Sequence, residues 1–103
     1  MQKFNKDAYG QKIYCNFNQD ISTNTALTMK LQPEKGDDID VTPTLETSDL
    51  YVEDQQFLAN QYVSYTITDG MFDDYQGRYR AKATATLASS VVVSEYALFR
   101  VTE

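Results

Sequence analysis

From Gly77 to Leu87 the chain reads GRYRAKATATL, and its two parities have nothing in common. Tyr79, Ala81, Ala83, Ala85 and Leu87 stand on one; Arg78, Arg80, Lys82, Thr84 and Thr86 stand on the other. Successive side chains of a β-strand point to opposite faces, so this alternation fixes the local conformation and also the side that is covered. The stretch reads as a strand with one dry face of mostly small residues and one wet, cationic face. Period two recurs along the whole chain, and no window of about 11 residues or more carries an apolar stripe at helical spacing.

Ile13, Cys15 and Phe17 alternate with Tyr14 and Asn16; Leu27, Met29 and Leu31 alternate with Thr28, Lys30 and Gln32. Ile39 and Val41 begin a third strand, which Pro43 interrupts or confines to a sheet edge. Residues 44–47 and 50–53 read as short strands or edge segments, and 54–60 as a helical turn or a bridging loop anchored by Phe57 and Leu58. Val63, Tyr65 and Ile67 face one way in the next strand, and Tyr62, Ser64 and Thr66 the other. Residues 18–25 are dense in Asn, Asp, Ser and Thr and predict a loop with Ile21 tucked beneath it. The last run, 91–101, breaks parity: Val91 and Val93 share a side with Glu95, and also with Ala97, Phe99 and Val101. Either Glu95 stands at a solvated margin or a bulge near Ser94 re-aims the strand, and the bulge is the preferred reading.

About seven strands with frequent turn signals predict an all-β fold, an antiparallel immunoglobulin-like β-sandwich. Residues 1–103 form one domain on this reading, and residues 1–10 could extend from it as an arm. In a two-layer core, Ala81, Ala83 and Ala85 become small partners for bulky residues such as Phe99, Leu98, Met29 or Tyr65. Gly77 and Tyr79 suggest the tyrosine corner of sandwich folds, in which a Tyr opening a late strand donates its hydroxyl to upstream backbone.

The chemistry is sparse. The chain has no histidine, which removes the commonest general base and the best transition-metal ligand. Carboxylates cluster at Asp37, Asp38 and Asp40 and at Asp69, Asp73 and Asp74, but neither group has the spacing of an EF-hand loop. No catalytic residue, cofactor or metal is expected. Cys15 is the only cysteine and shares the Ile13 and Phe17 side, as a small buried thiol would. With 15 acidic and 9 basic residues the formal charge is -6, and no sequence stretch concentrates Lys or Arg enough to track a phosphate backbone. Neither nucleic acid nor membrane is expected as a partner, and the N-terminal residues lack the apolar core of a secretory signal. The candidate interface comprises Tyr14, Tyr62 and Tyr75, which cover area at low entropic cost, and the basic stripe Arg78, Arg80 and Lys82.

Two long stretches carry a resemblance. DAYGQKIYCNFNQDISTNTALTMKLQPEKG has a turn, a strand, a DIS segment leading to A-L-x-M-K and a proline-glycine turn. ITDGMFDDYQGRYRAKATATLASSVVVSEYALFRV has a G-x-Y-x-A strand, a tight hairpin and a Ser/Glu-containing strand closing in F-x-V. Over roughly residues 7 to 101 the order resembles small immunoglobulin-like modules of tailed-bacteriophage virions, which occur alone or as N-terminal domains of baseplate upper proteins and head-fibre proteins. Glu34-Lys35-Gly36 lengthens the usual turn, and no stalk sequence follows Glu103, as in a self-contained component. The resemblance implies a non-enzymatic virion protein, made in the bacterial cytoplasm, that decorates the capsid or joins tail, baseplate or fibre. Its partners would be major capsid, portal, tail or fibre proteins, met in multiple copies on a symmetric assembly. The alternative is a carbohydrate- or receptor-binding adhesion module.

Overall fold

The computed structural model describes residues 2–103. Eleven strands follow in chain order: β1 (Gln2–Asn5), β2 (Lys12–Asn16), β3 (Ala26–Pro33), β4 (Ile39–Val41), β5 (Thr44–Leu45), β6 (Leu50–Val52), β7 (Gln55–Phe57), β8 (Tyr62–Thr66), β9 (Gly77–Thr86), β10 (Val91–Val93) and β11 (Ala97–Thr102). One sheet runs β1-β11-β9-β3-β4, with β10 also on β9; a second runs β2-β8-β5, and β6 and β7 pair as a two-stranded third. In immunoglobulin order, β11-β9-β3-β4 are strands G, F, C and C′, and β2-β8-β5 are B, E and D. The fold is therefore the expected all-β, immunoglobulin-like sandwich. All pairs in it are antiparallel except β1 with β11.

Three differences add strands to the about seven expected. First, residues 2–5 are no free arm: they pair with β11, and Phe4 enters the core at 5% exposure. Its ring meets Phe99 and Phe72 at centroid distances of 5.6 and 6.4 Å. Second, residues 54–60 form neither a helical turn nor a plain loop. Gln55–Phe57 pairs back on Leu50–Val52 through a two-residue turn at Glu53 and Asp54, both with positive φ (49° and 63°). That is the backbone of a type I′ hairpin, a turn usually signalled by Asn-Gly or Asp-Gly, so Glu-Asp hid it. Of the two supposed anchors, Phe57 is buried and Leu58 exposed.

Third, the predicted bulge divides the last strand. Val93 stands opposite Thr84 and Ala97 opposite Ala81, so Ser94, Glu95 and Tyr96 face two residues of β9. The extra residue reverses parity, which lets Val92 and then Phe99 and Val101 point inward. Ser94 anchors the bulge: its hydroxyl accepts the Ala83 N–H at 2.8 Å, and its own N–H donates to the Ala83 carbonyl at 2.9 Å. The Glu95 N–H donates at 3.0 Å to the carbonyl of Asn16 on β2. One bulge thereby ties the two sheets together.

The strand β9 lies at the centre of the larger sheet. Ala81, Ala83 and Ala85 are fully buried, and their neighbours on β3 are Leu31, Met29 and Leu27 in register. Small residues on one strand thus sit beside bulky ones on the next. Leu98, expected opposite the alanines, is instead exposed, because the bulge puts Phe99 on the inner parity. Phe72 was hidden in a polar loop sequence, yet it is fully buried against Tyr79 and Phe99.

At the start of β9 the Tyr79 hydroxyl donates to the Tyr75 carbonyl at 2.7 Å, closing the expected tyrosine corner. Gly77 has φ +143°, and a Cβ there would lie 2.8 Å from Cζ of Tyr75. Only glycine fits. Burial, then the neighbouring Tyr75 and Asp74, pushes the Tyr79 hydroxyl up to about 12. Burial likewise pushes the Cys15 thiol from 9.0 to about 12, although a bond with Ser94 opposes it.

Because both groups stay neutral in the folded chain above the pH at which they ionise when unfolded, their contribution is complete below pH 9 and is lost as pH rises toward 12. Denaturant midpoints measured across that range should fall, and Cys15→Ala and Tyr79→Phe should each flatten part of the decline. Native Cys15 should resist alkylation until denaturant is added. Ala83→Leu should overpack the core and lower unfolding free energy by about 1–3 kcal/mol in urea titrations. Asp54→Gly should raise it by about 0.5–1 kcal/mol, because glycine relieves a left-handed conformation.

Candidate functional site

The pleat of β9 that buries the alanines must turn Arg78, Arg80 and Lys82 outward. Their neighbours on the outer face follow from the register. Arg78 stands opposite Arg100 on β11, and Arg100 stands opposite Lys3 on β1, giving three cations in a row across three strands. Lys82 stands opposite Lys30 on β3. The strands of this sheet therefore present six of the nine basic residues of the chain, all three arginines among them, and one carboxylate, Asp40. An acidic protein has gathered its positive charge on one face.

Little neutralises it. Among the described residues the only ion pair on this face joins Lys30 and Asp40 at 3.8 Å, a long contact between exposed groups that contributes at most about 1 kcal/mol. Glu34 and Asp38 share a shallow depression with Arg78 and Arg80, but neither forms an ion pair with them. Like charges placed directly opposite on a sheet destabilise it. The face costs stability in the free protein.

Apolar side chains complete the surface. Outward parity on β10 and β11, with the intervening bulge, exposes Val91 at 61%, Val93 at 54%, Tyr96 at 48% and Leu98 at 61%. Four of the seven large exposed hydrophobic residues among the described ones thus lie on this face. Arg80 organises the middle: its Nε donates to Oε1 of Gln32 at 2.8 Å, and its guanidinium carbon sits 4.5 Å from the centroid of the Tyr96 ring. Lys82 Nζ is 5.8 Å from that centroid. Aromatic and arginine side chains at the centre, with charge around them, are the composition of a protein interface.

The sequence-derived candidates divide accordingly. Arg78, Arg80 and Lys82 fall on this face together. Tyr62 does not: it is 2% exposed, because the β6-β7 hairpin covers the outer side of the smaller sheet. Phe57 packs on Tyr62 and Tyr14 with centroids 5.1 and 5.6 Å away, and the Tyr62 hydroxyl donates to the Ser48 carbonyl at 2.7 Å. Tyr14 is half-buried in the same cluster. Ser64, read as exposed, is buried and donates to Glu46 Oε1 at 2.6 Å, while Lys12 pairs with the same oxygen at 3.4 Å. Tyr75 is half-buried on Tyr79 and supports the corner. Of these three tyrosines, Tyr62 is buried in the structure, and Tyr14 and Tyr75 are half-buried within aromatic clusters.

Sequence reasoning missed Lys3, Lys30, Arg100, Val91, Val93 and Leu98. Strand parity could have assigned Lys30 and Arg100 to an outer face, since each is flanked by inward residues, but only the sheet order shows that the faces are one. Asp37 and Asp38 lie in the β3-β4 loop, and Asp69, Asp73 and Asp74 between β8 and β9. Among the described residues no three His, Cys, Asp or Glu groups are arranged to hold a metal ion, and no helix is long and apolar enough to cross a membrane.

Fold and face together define an immunoglobulin-like sandwich with a cationic, partly apolar sheet surface. Compared with family models, curated proteins and solved structures, the chain matches none.

Because Arg100 faces like charges on both sides, Arg100→Glu should relieve two repulsive pairs and raise the melting temperature at low salt. A gain of about 0.5–1 kcal/mol is expected, shrinking in about 1 M salt as screening shortens to about 3 Å. Differential scanning calorimetry at the two salt concentrations checks it.

Proposed function

We propose that this protein is a non-enzymatic structural component of a tailed-bacteriophage virion, an accessory that decorates the capsid or joins tail, baseplate or fibre. The observation that carries the binding role is the outer face of the larger sheet, where like-charged Lys3, Arg100 and Arg78 stand side by side with no acidic partner among the described residues, next to exposed Tyr96 and Leu98. The virion assignment rests on the order of motifs over residues 7 to 101 and follows from context, since the sandwich serves many unrelated roles. Copies repeated on a symmetric particle would make modest contacts sufficient through multivalency. The acidic remainder of the surface would keep the free subunit soluble before assembly.

A second reading, glycan or receptor binding, is favoured by one feature. A groove of about 290 Å³ between the β6-β7 hairpin and β11 is lined by Tyr14, Phe57 and Tyr96. Phe57 is buried and Arg80 lies over the Tyr96 ring, which leaves little open aromatic surface for a sugar ring.

Mass spectrometry of purified virions should find the chain at a fixed stoichiometry to the major capsid or tail proteins. Its absence from particles, together with a glycan-array hit lost on Tyr96→Ala, would replace the first reading with the second.

A further inference from the structure

The unpaired cations constrain what can cover them. We infer that the outer face of the β1-β11-β9-β3-β4 sheet binds a carboxylate-rich segment of a partner protein, with Lys3, Arg100 and Arg78 as the anionic clamp and Leu98 and Tyr96 as its apolar floor. The inference rests on the reading of this face as an interface and names the chemistry of what it holds.

Three properties select this partner. All three arginines of the chain are on the face, and a guanidinium fork matches a carboxylate with two parallel hydrogen bonds. Arg78 and Arg100 have no acidic partner among the described residues, so their forks are free to turn toward a ligand. The cations also border exposed Leu98, which stands opposite Arg80, and Tyr96, which lies under it, and these need an apolar covering as well as an anionic one.

A nucleic acid has comparable charge but fits the remaining surface less well. Bases would seek open aromatic platforms, whereas the one exposed ring here, Tyr96, already carries Arg80 on it at 4.5 Å. A long polyanion would also run past the edges of the sheet into a protein whose net charge is -6. A short acidic segment meets only the face. Carboxylates entering the row would turn repulsion between Lys3, Arg100 and Arg78 into attraction, so the strain of the free state adds to specificity for an anionic partner.

The test is a titration of the isotope-labelled full chain with a short oligoglutamate peptide at low ionic strength, followed by amide shifts. Shifts should concentrate on β1, β9 and β11, and affinity should fall about tenfold or more as salt rises from about 10 to about 150 mM. Arg100→Glu, with its fold checked by a melting curve, should weaken binding by at least about tenfold. Lys35→Glu, an equal change in net charge at the β3-β4 loop, should leave it within about twofold. Absent shifts, shifts centred elsewhere, or equal weakening by both substitutions would overturn the inference. So would binding of a DNA duplex of similar charge, or of phosphatidylglycerol vesicles, in preference to the peptide. The two proposals separate cleanly: peptide binding by a chain absent from virions ends the virion assignment alone, and a virion protein that ignores the peptide ends the partner chemistry alone.

Discussion

The structure depends on the hydrogen-bonded central position of β9 and the small residues along its inner side. Pairing with β3 on one flank and with β10 and β11 on the other fixes this strand more tightly than any other. Ala81, Ala83 and Ala85 have no side-chain rotamers to lose on burial and leave room for Leu27, Met29 and Leu31 beside them. Because the inner parity is settled by packing, the outer parity is held equally still. The basic side chains spring from backbone that the core has already immobilised, which is how a rigid scaffold presents a binding surface.

Much of this was legible in the sequence where a signal was local. Alternation located β2, β3, β8 and β9; the clash of parities around Glu95 located the bulge; Gly77 and Tyr79 located the corner. What escaped depended on contacts far apart in the chain. Phe4 reads as part of a polar N-terminus until β11 offers it a partner strand, and Phe72 reads as loop until the Phe4, Tyr79 and Phe99 rings surround it. Tyr62 alternates as an exposed residue would, and only the hairpin folded over it makes the position buried. The hairpin itself was obscured by turn residues that adopt its backbone at some cost.

The site was half legible for the same reason. Arg78, Arg80 and Lys82 declare themselves within five residues, but Lys3 and Arg100 lie at opposite ends of the chain and meet through the parallel pairing of the first strand with the last. A linear scan for basic clusters finds no patch in a chain of net charge -6. Sheet topology makes one, and it segregates the sign of charge: fourteen of the fifteen acidic residues lie off the strands that carry the six cations. The strands of this face are cationic in a way the isoelectric point of the chain conceals.

The bulge at residues 94–96 has a further consequence, one of length. Upstream of it even-numbered residues of the last strand face the core; downstream odd-numbered ones do. Loss or gain of one residue among the three would act as a frameshift in space, driving Leu98 and Arg100 into the interior and Phe99 and Val101 out to solvent. Core and binding face would fail in a single event, although no residue of either had been replaced. These positions can vary in kind far more readily than in number.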